Sequence, residues 1–144
     1  MEEVNRTLRE DFGLSPEKTL HRESEIRRHF PEAWTEGYEN LIPSMTNHPK
    51  DRHVLAAAVH AHATAIVTYN RKDFPPISLT PHAITAMGPS TFLRDLYAGA
   101  PAEVVATLEA QAAAIRQPLS YVLSRLRVNV PAFVEMIEKA GRNE

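Results

Sequence analysis

The chain contains no cysteine. This removes disulfide frameworks, thiol nucleophiles and Cys-ligated zinc sites together, and nothing asks for an oxidising compartment. A dominant charge is also missing. Sixteen Lys and Arg stand against 18 Asp and Glu, a formal net charge of -2. That excludes a strongly basic protein that coats nucleic acid, but not an enzyme that meets RNA through a local basic patch. No apolar run approaches the length of a bilayer span. The opening Met1-Glu2-Glu3-Val4-Asn5-Arg6 has no basic stretch ahead of an apolar core, so it does not read as a secretory signal. The expectation is a cytoplasmic globular protein without membrane association. There is no repeat and no low-complexity segment. What is present, 144 residues with 43% apolar content, suffices for one genuine core.

Val4, Leu8 and Phe12 carry a first helical stripe that stops at Gly13. Ser15-Pro16-Glu17 then starts a second helix, with Ser at N-cap and Pro at N1. Leu20, Ile26 and Phe30 are candidates for its buried side. Thr35 to Ile42 is read as extended, and Pro43 to Pro49 as a loop. Asp51 opens a helix to about Ala63, with Val54, Leu55, Ala58 and Val59 as its apolar face. Ala65 to Tyr69 is short, β-branched and apolar without alternation, the pattern of a buried parallel strand. After a loop broken by Pro75, Pro76 and Pro81, Ile84 to Met87 forms another strand. Gly88-Pro89-Ser90 leads into a helix through Phe92, Leu93, Leu96 and Tyr97. Beyond Gly99 only helices follow, started by Pro101, Pro118 and Pro131. The division expected is an α/β domain over residues 1–98 and a C-terminal helical appendage over residues 99–144.

The chemistry lies around Asp51 and the segment after the first strand. Asp51 near a helix N-cap can serve as a cap, and Asn70 and Asp73 can serve as turn residues. Their shared position points further. The rim beyond the carboxyl ends of parallel strands is where α/β proteins bind ligands. Thr68, Asn70 and Asp73 belong to that rim, and the helix leading into the strand delivers Asp51 to it. Clustered carboxylates there suit Mg²⁺ or Mn²⁺ and phosphodiester hydrolysis, although two acids and an amide leave a further acid to be found.

Asp51-Arg-His-Val-Leu-Ala-Ala-Ala58, Ile66-Val-Thr-Tyr-Asn-Arg-Lys-Asp-Phe-Pro75 and Pro89-Ser-Thr-Phe-Leu93 resemble the C-terminal two thirds of a PIN-domain protein, in the branch of VapC-type toxin ribonucleases. The resemblance takes in Glu3 to Leu8, Phe12 to Glu17 and Gly37-Tyr38, and continues into the helical tail. It implies a PIN-like parallel sheet flanked by helices. It also implies a divalent-metal-dependent endoribonuclease of a toxin–antitoxin system, acting on single-stranded or structured RNA. By this resemblance Glu3, Asp51 and Asp73 are the metal-ligating acids, with Glu2 a weaker substitute for Glu3. Asn70 belongs to the last pair with Asp73, and Thr68 helps to organise the site. The family's first strand and its Asp have no counterpart, so the expected fold is N-terminally truncated. Exposed sheet edges would then favour a homo-oligomer. The alternative function is a catalytically inactive protein that binds an antitoxin or self-associates.

Arg52, Arg71 and Lys72 flank the acids and are the candidates for meeting RNA phosphates, or a solvated surface set. The seven histidines show no converging spacing for a histidine-ligated metal, and helix-end and surface positions account for them. His48, in the loop before Asp51, is the one placed to approach the site. No Ser has a nucleophile-elbow context, which disfavours acyl transfer.

Overall fold

A computed structural model describes residues 1–143. Among the described residues, eight α-helices and two short strands follow in the order α1 (Glu2–Glu10), α2 (Pro16–His29), α3 (Arg52–His60), β1 (Ala65–Val67), α4 (Pro76–Leu79), β2 (Thr85–Met87), α5 (Pro89–Gly99), α6 (Pro101–Ala114), α7 (Leu119–Leu126) and α8 (Pro131–Arg142). Single turns of 3₁₀ helix fill several connections. Among the described residues the sheet has two strands, parallel and in register, with Ala65 beside Thr85 and Val67 beside Met87. This is the expected α/β arrangement of a parallel sheet flanked by helices, followed by helices only. No helix is long and apolar enough to cross a membrane among the described residues.

Two apolar centres hold the chain. Leu55 and Ala56 of α3 are fully buried against Ile66, Phe74, Leu79, Ile84 and Met45. The small Ala residues of α3 let its axis approach the 3₁₀ segment Glu39–Ser44, which packs on it. The second centre joins Phe133, Val134 and Ile137 of α8 to Leu108 of α6, Leu123 of α7 and Tyr97 of α5. Proline at the first helical position starts α2, α5, α6 and α8. There its missing N–H costs nothing.

The structure departs from the sequence expectation in two places. Thr35 to Ile42 is not a strand: residues 39–44 form a 3₁₀ helix. Leu41 and Ile42 turn to the first core, and this local packing wins over a weak extended preference. The stripes assigned to α1 and α2 are buried only in part within the chain, Leu8 and Ile26 being half-buried. Val4, Phe12, Leu20 and Phe30 are exposed, whereas the polar Asn5 and Thr19 are buried. The two helices meet through the Asn5 amide, which donates to the Glu23 carboxylate at 2.6 Å. That bond is the main cause of the lowered Glu23 pKa, with Arg27 adding to it. Arg27 also lies over the Trp34 ring, 3.6 Å from its centroid.

Candidate metal centre

The segment His48-Pro49-Lys50-Asp51 is a tight lead into α3. His48 caps the 3₁₀ turn Pro49–Asp51, its Nδ1 accepting the Lys50 N–H at 3.2 Å. Asp51 sits at the N-cap of α3 but makes no side-chain capping hydrogen bond. Its carboxylate is therefore not used for the task that the helix start alone would assign to it. Beneath this turn the fully buried Asn47 donates its amide to the Asp51 carbonyl at 3.0 Å, and Arg52 donates Nε–H to the Asn47 carbonyl at 3.0 Å. These two bonds fix the turn from both sides.

The second half of the site comes from the end of β1. Thr68 continues the ladder, its N–H donating to the Met87 carbonyl at 2.9 Å. Its hydroxyl oxygen accepts the Asn70 N–H at 3.0 Å and so shapes the turn. The Asn70 side-chain amide in turn donates to the Asp73 carboxylate. Asp73 is buried, and its carbonyl accepts the His48 N–H at 3.2 Å. Thr68, Asn70 and Asp73 thus form a chain of support, and the last bond ties the β1 loop to the α3 turn.

These ties bring together His48, Asp51 and Asp73, one ligand-capable atom of each lying within 4.8 Å of the others. Two carboxylates so close repel when both are ionised. The Asp51 pKa is raised, first by burial and then by its hydrogen bond to and charge repulsion from Asp73. His53 and His48 act in the opposite direction. The group can coordinate a divalent metal: two acids supply anionic oxygens, and a cation between them would relieve their repulsion. The His48 ring adds a condition. While Nδ1 accepts from Lys50, a neutral ring carries its proton on Nε2 and acts as a donor. Ligation through the imidazole requires that this cap open or the tautomer change.

The other residues expected at the site are placed as follows. Glu3 stands outside the cluster, with its carboxylate 3.8 Å from His53 Nε2; it reaches the neighbourhood of α3 but not the Asp51–Asp73 pair. Glu2 shares a polar hollow with Glu3, Arg6, Tyr38 and His53. Arg71 and Lys72 are exposed on the loop that carries Asp73, and Arg52 is partly buried by its bond to Asn47. Sequence reasoning found no converging spacing among the histidines but placed His48 near the site through its position before Asp51, and the structure brings it into the cluster. Asn47 was not anticipated, since its importance comes from burial that no local pattern announces.

Part of the chain is similar to a known protein. It is 54% identical over 63 residues to "Putative ribonuclease VapC50" of Mycobacterium tuberculosis (strain ATCC 25618 / H37Rv), a match that takes in 44% of this chain and 37% of that protein. The chain thus covers well under two thirds of that relative's length. No protein-family profile matches the chain, and no solved structure matches it.

Proposed function

We propose that this chain, a homologue of the PIN/VapC family over the part it shares with the mycobacterial protein, is built for divalent-metal-dependent endonucleolytic cleavage of RNA. One observation carries this: Asp51, which makes no capping bond, and buried Asp73 converge on a shared point from two elements held together by the His48–Asp73 backbone bond. The donor set suits Mg²⁺ or Mn²⁺, since hard ions of this kind prefer carboxylate oxygens. When bound, such an ion lowers the pKa of a coordinated water and neutralises charge on the phosphoryl oxygens.

The protein's own groups set the geometry. Asp51 and Asp73 would hold the ion, and Asn70 keeps the Asp73 carboxylate oriented. Thr68 positions Asn70 through its backbone. Glu3, on α1 beside His53, is the further acid that would complete the set if α1 brought it to the pair. Arg71 and Lys72 offer positive charge to the RNA backbone. The test is cleavage of single-stranded RNA with Mg²⁺ or Mn²⁺ by the wild-type chain and by Asp51→Ala. Metal-dependent cleavage confined to the wild type is expected, and cleavage equal in both would sink the assignment.

A second function, binding to another copy of the chain, is favoured by a separate observation. The N–H groups of Thr68 and Thr85 bond across the β1–β2 pair. In a parallel ladder this leaves Ala65 and Val67 with backbone groups turned away from β2. A two-stranded sheet with a free edge is marginal alone, and exposed Val67, Phe12, Leu20 and Phe30 add apolar surface for association. Binding of an antitoxin would draw on the same surfaces.

A further inference from the structure

The segment after β1 that carries Asp73 also forms one wall of a cleft of about 240 Å³, lined by Thr68, Tyr69, Arg71, Ser90, Thr91 and Asn129. Tyr69 is 78% exposed, although it lies between two residues, Thr68 and Asn70, that are bound into the scaffold. The ring is therefore presented by a fixed backbone without being packed. Arg71, also exposed, is two residues further along the same loop and two residues before Asp73. The opposite wall brings hydroxyls from the first turn of α5. Asn129 comes from the turn between α7 and α8, its N–H held by the Leu126 carbonyl at 3.1 Å while the residue stays exposed.

We propose that this cleft is a nucleotide-binding subsite for single-stranded RNA, with a base stacked on Tyr69, its phosphate on Arg71 and its edge read by Asn129. The inference rests on the ribonuclease function proposed above and extends it to the nucleotide flanking the scissile phosphate. One aromatic face, a guanidinium, an amide and hydroxyls are the groups that single-stranded nucleic acid uses, through stacking, phosphate contact and edge hydrogen bonds. A protein-docking cleft would instead show an apolar centre. Within a duplex both faces of a base are already stacked, so Tyr69 selects unpaired nucleotides. The linkage has a structural consequence: the last helices, through Asn129, contribute to choosing which RNA enters.

The test uses the full chain carrying Asp51→Asn, in EDTA, so that neither cleavage nor metal enters the readout. Short fluorescein-labelled oligouridylate and oligoadenylate are the probes, followed by anisotropy across a salt series. Tyr69→Ala should weaken binding roughly 5- to 150-fold, the range of one lost base stack, while Tyr69→Phe stays within about twofold. Arg71→Ala should lower the steepness of the log–log salt dependence by about 0.7. Asn129→Ala should change the ratio of affinities for the two probes. Tyr69 is exposed, so its variants should keep the wild-type circular dichroism. Tyr69→Ala binding like its parent, Tyr69→Phe failing as Tyr69→Ala does, or no binding to either probe would overturn the subsite. The two assignments separate cleanly. Loss of binding with Tyr69→Ala, where the wild-type chain cleaves nothing with Mg²⁺ or Mn²⁺, upholds the subsite and sinks the nuclease. Cleavage that is Asp51-dependent, with RNA binding indifferent to Tyr69, does the reverse.

Discussion

At the scale of single residues, the proposed metal chemistry turns first on Asp51. A carboxylate at a helix start usually earns its place by capping, worth about 1 kcal/mol, but here it makes no such bond and faces Asp73 instead. Its native pKa lies above its unfolded value, so the folded chain keeps the proton to higher pH than the unfolded chain does. Stability of the metal-free protein therefore falls as pH rises from the ordinary aspartate range through the native pKa, and the deficit persists above it. Asp51→Asn should abolish this fall and raise the metal-free melting temperature at neutral pH, by a small amount because the group is partly exposed to screening solvent. Added Mg²⁺ should raise the melting temperature of the wild type and leave the variant unmoved. Calorimetric scans with and without metal across pH check all three. The two acids were legible in the sequence because both sit at element ends beside a short apolar strand. His48 was only half legible: its nearness to Asp51 could be seen, but its convergence depends on the backbone bond to Asp73, which spans 25 positions of chain.

At the scale of elements, the turn after β1 does most of the positioning. Thr68 holds Asn70, and Asn70 holds Asp73. Thr68→Val preserves shape and removes the acceptor. It should cost about 1 kcal/mol of stability and about tenfold in Mn²⁺ affinity, the usual scale for a group that orients a ligand. Thr68→Ser should restore both. Thermal unfolding and Mn²⁺ titration of the three proteins provide the comparison. The elements themselves were well marked in sequence where periodicity met a clear start, as at Ser15-Pro16 and Pro131. They were poorly marked between residues 35 and 44, where the 3₁₀ segment depends on packing against α3. The apolar spacing of α1 and α2 marked helices correctly but not what covers them, because periodicity identifies a face and says nothing of its partner.

At the scale of the whole molecule, two separate cores divide the labour. The first, around Leu55, Ile66 and Phe74, fixes the rim that carries the carboxylates. The second, around Phe133 and Val134, holds the helices that bring Asn129 to the neighbouring cleft. Exposed Phe12, Leu20 and Phe30, together with the free edge of β1, leave apolar and hydrogen-bonding surface that a second copy can cover. Sedimentation velocity should show concentration-dependent association of the wild type, shifted several-fold toward monomer by Phe12→Lys with Leu20→Lys. Association indifferent to both substitutions would place the interface elsewhere.

The convergence of Asp51 and Asp73 on a divalent ion is tested most directly by calorimetric titration of Mn²⁺ into the metal-free chain, its Asp51→Asn variant and its Asp73→Asn variant. Saturable binding in the wild type, lost in both variants while their circular dichroism stays native, is the result expected. No binding to the wild type, or equal binding in all three proteins, would contradict it.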